Sequence, residues 1–181
     1  MAVYAAMIDC MDQNIGRLMS ALKKSGEADN TLVLFLSDNG GCAEEPGGRS
    51  PKIVPGPKEF YAAVGPSWGW AQNAPFRRYK SWAHEGGIAT PCIAWWPGQV
   101  PEGRITHEVG HIIDFMPTFL ELAGGQYPKK HKGEKILPVE GKSLVGILKG
   151  EKRAGHEQIA WEWSGNRALR EGQWKLVWDK L

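Results

Sequence analysis

The feature that most constrains the fold is an apolar run that stops abruptly at polar residues. Residues 31–36 read Thr-Leu-Val-Leu-Phe-Leu, and a continuously apolar run of this kind is typical of a strand buried in an α/β sheet. The chain continues with Ser37-Asp38-Asn39-Gly40-Gly41. Ligand-binding groups of open α/β sheets gather beyond the carboxyl ends of strands, and carboxylate and carboxamide oxygens suit calcium and magnesium. The run therefore predicts an α/β fold in which Asp38 and Asn39 form half of a metal site.

The same residues allow a simpler interpretation. Asp, Asn and Gly are the commonest turn formers, so a plain turn would explain residues 38–41 when they are taken alone. The metal-site interpretation therefore depends on residues further along the chain.

The remaining pattern predicts alternating helices and strands. Apolar residues recur at spacings of three and four in residues 2–25, which predicts a long amphipathic helix. Residues 42–75 contain six prolines and are predicted to be irregular, as in a functional or flexible loop. Further strands are predicted at 91–96, 157–163, 166–170 and 173–178, and further helices at 113–123 and 143–149.

Composition and charge argue against several classes of function. The 181 residues are 42% hydrophobic and 23% charged, as in an ordinary globular protein. A formal charge of +2, without a basic helix face, gives no electrostatic case for nucleic-acid binding. Three cysteines do not make a disulfide framework. No apolar run reaches the roughly 18 residues of a membrane span, so we expect neither a nucleic-acid partner nor a membrane span.

The nine tryptophans fall into two groups. Trp68 and Trp70 lie in the proline-rich segment, where aromatic rings could contact a ligand. Several others alternate at strand spacing and are predicted to pack within a carboxyl-terminal sheet, namely Trp161, Trp163, Trp174 and Trp178.

Several motifs follow the Asp-Asn-Gly turn in a specific order. They are Pro-Phe-Arg-Arg-Tyr-Lys, His-Glu-Gly-Gly, Thr-Pro, Asp-Phe-Met-Pro-Thr and a terminal hairpin, at residues 75–80, 84–87, 90–91, 114–118 and 167–177. In this order they resemble the sulfatase family, and more closely its bacterial arylsulfatase-like branch. The resemblance covers nearly the whole chain. It is specific because the set is ordered, whereas each motif alone is weak.

The resemblance implies a partial alkaline-phosphatase-like sulfatase fold. Residues 1–125 would supply part of the central sheet with its flanking helices, and residues 126–181 a small antiparallel β subdomain with a hairpin. The implied activity is hydrolysis of sulfate esters, in a small molecule or a sulfated glycan, with a formylglycine nucleophile and one divalent cation, calcium in preference to magnesium. The oligomeric state is left open.

The resemblance also assigns roles to individual residues. Asp38 and Asn39 match two of the family's metal ligands. Lys80 matches the catalytic lysine, which contacts the sulfate and assists the leaving oxygen. His84 is interpreted either as a residue that lines the substrate pocket or as one that supports the pocket from behind.

The sequence departs from the family at the nucleophile. The family's modification motif is Cys or Ser followed by x-Pro-x-Arg, and no cysteine or serine here fits it. The paired amino-terminal aspartates that complete the family's metal site, and its Gly-Lys-x-His segment, are also missing. We therefore expect the carboxyl-terminal portion of a sulfatase, from a partial gene or a natural truncation, with the nucleophile outside the chain. The family implies a periplasmic or secreted location.

Two alternative functions stay open. A phosphatase or phosphodiesterase of the same superfold usually has an Asp-His pair after the strand, whereas Asp38 is followed by Asn39, which favours one metal and a sulfatase. A non-catalytic sulfatase remnant would explain the missing motif. His107 and His111 have the spacing of a helical metal pair, but the helix is predicted to begin after His111, so a structural role is favoured.

Overall fold

The computed structural model describes residues 1–45, 54–60 and 62–180, and it confirms the mixed α/β class predicted from the sequence. The helices are α1 (Ala2–Ser25), α2 (Gly65–Ala71), α3 (Glu85–Ile88), α4 (Phe115–Leu122) and α5 (Val145–Leu148). Short 3-10 turns cover Ala28–Asn30 and Ile112–Asp114. The strands are β1 (Val33–Leu36), β2 (Cys92–Trp95), β3 (Lys130–His131), β4 (Glu134–Lys135), β5 (Gln158–Trp163), β6 (Asn166–Glu171) and β7 (Trp174–Trp178).

The structure adds α2, α3 and the β3–β4 hairpin to the predicted elements. Because α2 lies inside residues 42–75, the prediction that this whole segment is irregular is wrong. The α2 sequence, Gly-Pro-Ser-Trp-Gly-Trp-Ala, has no apolar period, and its proline is tolerated because it stands in the first turn. Residues 46–53 and 61 lie outside the described residues.

Contacts divide the chain into two compact units, Met1–Ile93 with Gln158–Leu181, and Ala94–Glu157. The first unit contains α1, α2, α3, β1 and the terminal strands β5 to β7. The second contains α4, α5 and the β3–β4 hairpin. The predicted domain boundary between residues 125 and 126 stays a prediction, since this grouping by contacts does not follow chain order.

Helix α1 has an apolar face that is largely exposed among the described residues. It ends at Gly26, whose φ of 76° is left-handed, as is common for the glycine that ends a helix. All residues of α1 are described and none is buried, so Met7 is 65% exposed and Leu18 57%. An amphipathic helix normally packs such a face against another element. No helix among the described residues is long and apolar enough to cross a membrane.

Strands β5, β6 and β7 form an antiparallel meander with two different faces. Adjacent strands pair throughout their lengths, and the last hairpin closes at the pair Glu171↔Trp174. One face buries Ile159 and Ala168, whereas the other exposes Trp174, which is 78% accessible. The prediction that the terminal tryptophans pack within the sheet is therefore wrong for three of them, since the side chains of Trp163, Trp174 and Trp178 are largely exposed.

The second unit is organised around the fully buried carboxylate of Asp114. Oδ1 accepts the Lys142 N–H at 2.8 Å and lies 2.6 Å from Nε2 of His156. Oδ2 accepts the His111 N–H at 2.9 Å and an Arg153 N–H at 3.0 Å. A carboxylate can only accept, so Nε2 of His156 is the donor. Four donors on two oxygens satisfy the buried charge.

His111 has a structural role, as the sequence favoured. Its backbone N–H donates to Asp114, and its ring accepts the N–H of Ile113 at 3.4 Å, which together cap the turn at Ile112–Asp114. Burial lowers the pKa of this imidazole, which keeps the ring neutral at neutral pH.

We expect Asp114→Asn to destabilise the chain strongly. Burial alone would raise the pKa of Asp114, but hydrogen bonds from Lys142, His156, His111 and Arg153 outweigh it and hold the pKa below its usual value. Because the folded-state pKa is depressed, the stabilisation is complete above the ordinary value of roughly 3.9 and is lost as the pH falls through the folded-state value.

Chemical denaturation should show that Asp114→Asn lowers the free energy of unfolding at pH 7 by about 3–5 kcal/mol, the usual effect of breaking a buried ion pair. The matched control is Glu121→Gln on α4, which is exposed and should change stability by less than about 0.5 kcal/mol. Equal stabilities for the two variants would contradict the role of Asp114.

Candidate active site

The turn after β1 is joined to two later parts of the chain by hydrogen bonds. The Gly40 N–H donates to the carbonyl of Gly87 at 3.0 Å. The hydroxyl of Thr90 donates to the carbonyl of Ser37, also at 3.0 Å. The Asp-Asn-Gly turn and the Gly-Gly and Thr-Pro motifs, separate in the sequence, are therefore adjacent in the structure.

Glycines make this approach possible, because the backbones touch where side chains would lie. A Cβ on Gly40 would overlap the carbonyl oxygen of Gly86. A Cβ on Gly86 would overlap the carbonyl of Arg78, and one on Gly87 would overlap the carbonyl of Trp82. The obstructing atoms belong to the backbone and cannot rotate away. The pattern Gly-Gly is thus required sterically at residues 86–87.

The side chain of Asn73 links three segments around the same turn. Its Oδ1 accepts the Gly41 N–H at 2.8 Å. Its Nδ2 donates to the carbonyl of Gly69 in α2 at 2.6 Å and to the carbonyl of Arg78 at 3.2 Å. One carboxamide therefore joins the turn after β1, helix α2 and the segment before Lys80.

Lys80 lies directly beside the turn. Its backbone N–H donates to the carbonyl of Gly41 at 3.1 Å, and its Nζ lies 3.3 Å from a carboxylate oxygen of Glu44. The hydrogen bond and charge of Glu44 raise the pKa of Lys80 above its ordinary value, with a smaller contribution from Asp38. The structure thus brings the predicted lysine and the predicted metal-binding turn together, with the ammonium fully charged at neutral pH.

The backbone on either side of Lys80 is in an unusual conformation. Arg78 has a φ of 70° and Ser81 a φ of 78°, in the left-handed region that residues other than glycine rarely adopt. Each such residue typically costs about 1–3 kcal/mol and persists only where surrounding contacts hold it in place. The segment that presents Lys80 is therefore held by its neighbours.

His84 is buried and faces the terminal strand instead of solvent. It is 8% exposed, and its Nδ1 lies 3.4 Å from Oδ1 of Asp179, just beyond β7. Burial lowers its pKa, the Asp179 carboxylate acts in the opposite direction, and Arg77 and Arg78 lower it further. The imidazole is neutral at pH 7. Its predicted place in or behind the substrate pocket stays a prediction.

Asp38 and Asn39 fit a calcium site only in part. Asp38 is exposed and Asn39 is half-buried at the end of β1, and both supply oxygen atoms of the kind that calcium prefers. Calcium takes six to eight such ligands. The described residues contain no cluster of three or more His, Cys, Asp or Glu side chains able to hold a metal ion. The remaining ligands would have to come from other groups.

Comparison with known proteins identifies the family. The sulfatase family model matches residues 1–125, and an uncharacterised sulfatase of Schizosaccharomyces pombe is 34% identical over 98% of this chain. The chain belongs to the sulfatase family. An arylsulfatase of Klebsiella aerogenes is likewise 34% identical, over 88% of this chain.

Solved sulfatase-like structures agree with the fold. The crystal structure of Ps i-CgsB in complex with k-i-k-neocarrahexaose aligns with this chain at 27% identity and a TM-score of 0.69. The alignment covers 96% of this chain and 33% of the Ps i-CgsB chain. The present chain spans 35% of the S. pombe relative and 37% of the K. aerogenes one. It therefore corresponds to about a third of the length of such proteins, and to their carboxyl-terminal part.

Several residues of the site were not predicted from the sequence. Asn73 could have been suspected, because asparagine side chains in loops often hydrogen-bond backbone groups. Glu44 and Asp179 carry no local signal. Glu44 lies 36 positions before Lys80 and Asp179 lies 95 after His84, so only the folded chain shows these contacts.

We expect Gly87→Ala to be strongly destabilising because its Cβ would overlap the carbonyl of Trp82. The free energy of unfolding should fall by about 2 kcal/mol or more, as in other overpacked sites. Gly16→Ala is the matched control, since nothing lies within 4 Å of its added Cβ in α1, and it should stabilise the helix by up to about 1 kcal/mol. Denaturation curves for both variants measure this; similar behaviour of the two would show that residues 86–87 are not tightly packed.

Proposed function

We propose that this chain supplies the lysine side of a sulfuric ester hydrolase active site. The observation that carries the proposal is the placement of Lys80 directly beside the turn that holds Asp38 and Asn39. The ordered set of family motifs and the sulfatase relatives support it. The nucleophile, a formylglycine in the proposal, would come from residues outside these 181.

Lys80 has the chemistry that sulfate-ester cleavage needs. As the S–O bond breaks, negative charge accumulates on the departing oxygen and on the sulfate oxygens. A preorganised ammonium group at that position stabilises the charge and can supply a proton to the leaving alkoxide. The carboxylate of Glu44, 3.3 Å away, shows that the ammonium already binds an anion from this side.

Asp38 and Asn39 would hold a divalent cation, calcium in the proposal. When bound, such an ion supplies positive charge that binds the sulfate and activates the attacking group. Within this chain, the backbone contacts from Gly40 to Gly87 and from Gly41 to Lys80 keep these ligands and the lysine on one framework.

The proposed substrate is an aryl sulfate or a sulfated glycan. One relative is named an arylsulfatase, and one structural neighbour was solved with a bound neocarrahexaose. Trp68 and Trp70 are exposed on α2, and Asn73, just after this helix, binds the Asp-Asn-Gly turn. Exposed indole rings in that position would suit a sugar or aryl ring.

The isolated chain should be inactive and bind calcium weakly. Two oxygen ligands fall far short of the usual six to eight, so calorimetry should give a dissociation constant in the millimolar range or weaker, and p-nitrophenyl sulfate should not be hydrolysed. Robust hydrolysis by the purified 181 residues would contradict the proposal that the nucleophile lies elsewhere.

In a longer polypeptide that joins these residues to a sulfatase nucleophile, Lys80→Ala should lower turnover by about a hundredfold or more, the usual effect of deleting one preorganised donor. Asp38→Ala should be at least as harmful because it weakens metal binding. His84→Ala should have a milder effect and mainly raise KM. Near-normal turnover of Lys80→Ala would refute the role of Lys80, and an inactive parent polypeptide would favour the non-catalytic remnant.

A further inference from the structure

The terminal sheet makes polar contacts with the segment that carries Lys80. Three of its side chains take part, those of Asn166 and Lys175 in the strands and of Asp179 just beyond β7; we call these three residues the terminal clamp. Their partners are Arg78, Ser81, His84 and Glu85. These partners lie on both sides of Lys80 in the sequence.

The strongest contact of the clamp is the ion pair between Lys175 and Glu85. Lys175 Nζ donates to Glu85 Oε1 at 2.6 Å, and the side chain of Lys175 is only 12% exposed. The ammonium also lies 5.0 Å from the ring centre of Trp161 in β5. Burial lowers the pKa of Lys175, while Glu85 acts in the opposite direction. Although the Glu85 side chain is 37% exposed, a short pair with one shielded partner is coupled more strongly than a fully solvated surface pair.

A second contact of the clamp holds Arg78, two residues before Lys80. Arg78 lies 3.9 Å from the carboxylate of Asp179, and its guanidinium stacks 4.1 Å from the ring centre of Trp82. This is one of the two residues whose left-handed backbone requires outside support. The other, Ser81, has its carbonyl bound by Asn166 Nδ2 at 3.3 Å. The clamp therefore contacts both unusual backbone positions.

Lys80 itself makes no such contact with the sheet among the described residues. In the described part of the chain its Nζ pairs with the exposed carboxylate of Glu44, and its side chain stays accessible to a ligand. Its position is fixed through the backbone, by Gly41 on one side and by its clamped neighbours on the other. Preorganised catalysis requires a charged group that is held in place through its neighbours while its own side chain stays accessible.

We infer that Lys175 is a positioning residue for Lys80, acting through its ion pair with Glu85. The inference rests on the proposed function, since it assigns the terminal sheet a part in placing the sulfate-contacting lysine. In this inference the sheet has a catalytic as well as a structural role, because a substitution on β7 would change the position of the Lys80 ammonium relative to the leaving oxygen.

Hydrogen exchange on the 181-residue chain tests the contact without any activity. Lys175→Met keeps the length of the side chain and removes its charge. The Lys80 amide, which donates to Gly41, should then exchange about tenfold faster, while amides inside β6 change less than twofold. Arg167→Met is the control, since it breaks an exposed pair with Glu162 at 3.5 Å in the same sheet. It should leave the Lys80 amide unchanged.

The charge-swapped pair Glu85→Lys with Lys175→Glu should restore protection. Unchanged exchange at Lys80 in Lys175→Met, or an equal loss of protection in β6, would overturn the inference. If Lys175→Met does not fold, Glu85→Gln removes the same ion pair and is judged by the same criteria.

Leaving-group dependence tests the catalytic consequence in a longer sulfatase that carries these residues. A lysine that assists departure matters most for phenols of high pKa. Lys175→Met should therefore lower kcat about tenfold for the poorest leaving group and little for the best, with KM nearly constant. It should add little to Lys80→Met, because both act through one group.

The two ideas fail in different ways. If the loss of kcat in Lys80→Met is the same for all leaving groups, the proposed role of Lys80 is wrong. The hydrogen-exchange experiment then still tests the terminal clamp. If Lys80→Met shows it and Lys175→Met does not, only the positioning inference falls.

Discussion

The structure of the site depends on one steric constraint, the close backbone contact at residues 40, 86 and 87. At each of these positions a carbonyl oxygen occupies the space of a Cβ atom. This contact sets the turn after β1 against the start of α3, and the bonds from Gly40 to Gly87 and from Lys80 to Gly41 then follow. Without it, Lys80, about forty residues later in the chain, would have no fixed position relative to the Asp38–Asn39 turn.

The contact also explains why side chains from distant parts of the chain are needed. A short helix of four residues, α3, cannot hold itself in place. Asn73, just after α2, holds the segment before α3 against the turn that follows β1. Lys175 and Asp179 hold the same segment from the terminal sheet. The site is thus assembled from four segments. The turn after β1, Asn73 after α2 and the terminal sheet each make polar contacts with the fourth segment, whose backbone is left-handed at Arg78 and Ser81.

The sequence predicted those features that have a local cause. The period of α1, the apolar run of β1 and the alternation of β5 to β7 are patterns that lie within one element, and they could be recognised. Helix α2 has no such period, and the partners of Lys80 and His84 are far apart in the chain, so these required the structure. The outward face with Trp174 and Trp178 was misjudged because alternation shows that a strand has two faces but does not show which face is covered.

The central claim is that the Asp38–Asn39 turn and Lys80 form a single cation-and-anion site. Nuclear magnetic resonance on the labelled chain, during titration with millimolar calcium, tests it most directly. The account predicts that the amide signals of residues 38–41 and the side-chain signal of Lys80 shift together along one binding curve, and that Asp38→Asn abolishes both shifts. Calcium that moves the turn and leaves Lys80 unaffected, or that binds elsewhere, would contradict the claim.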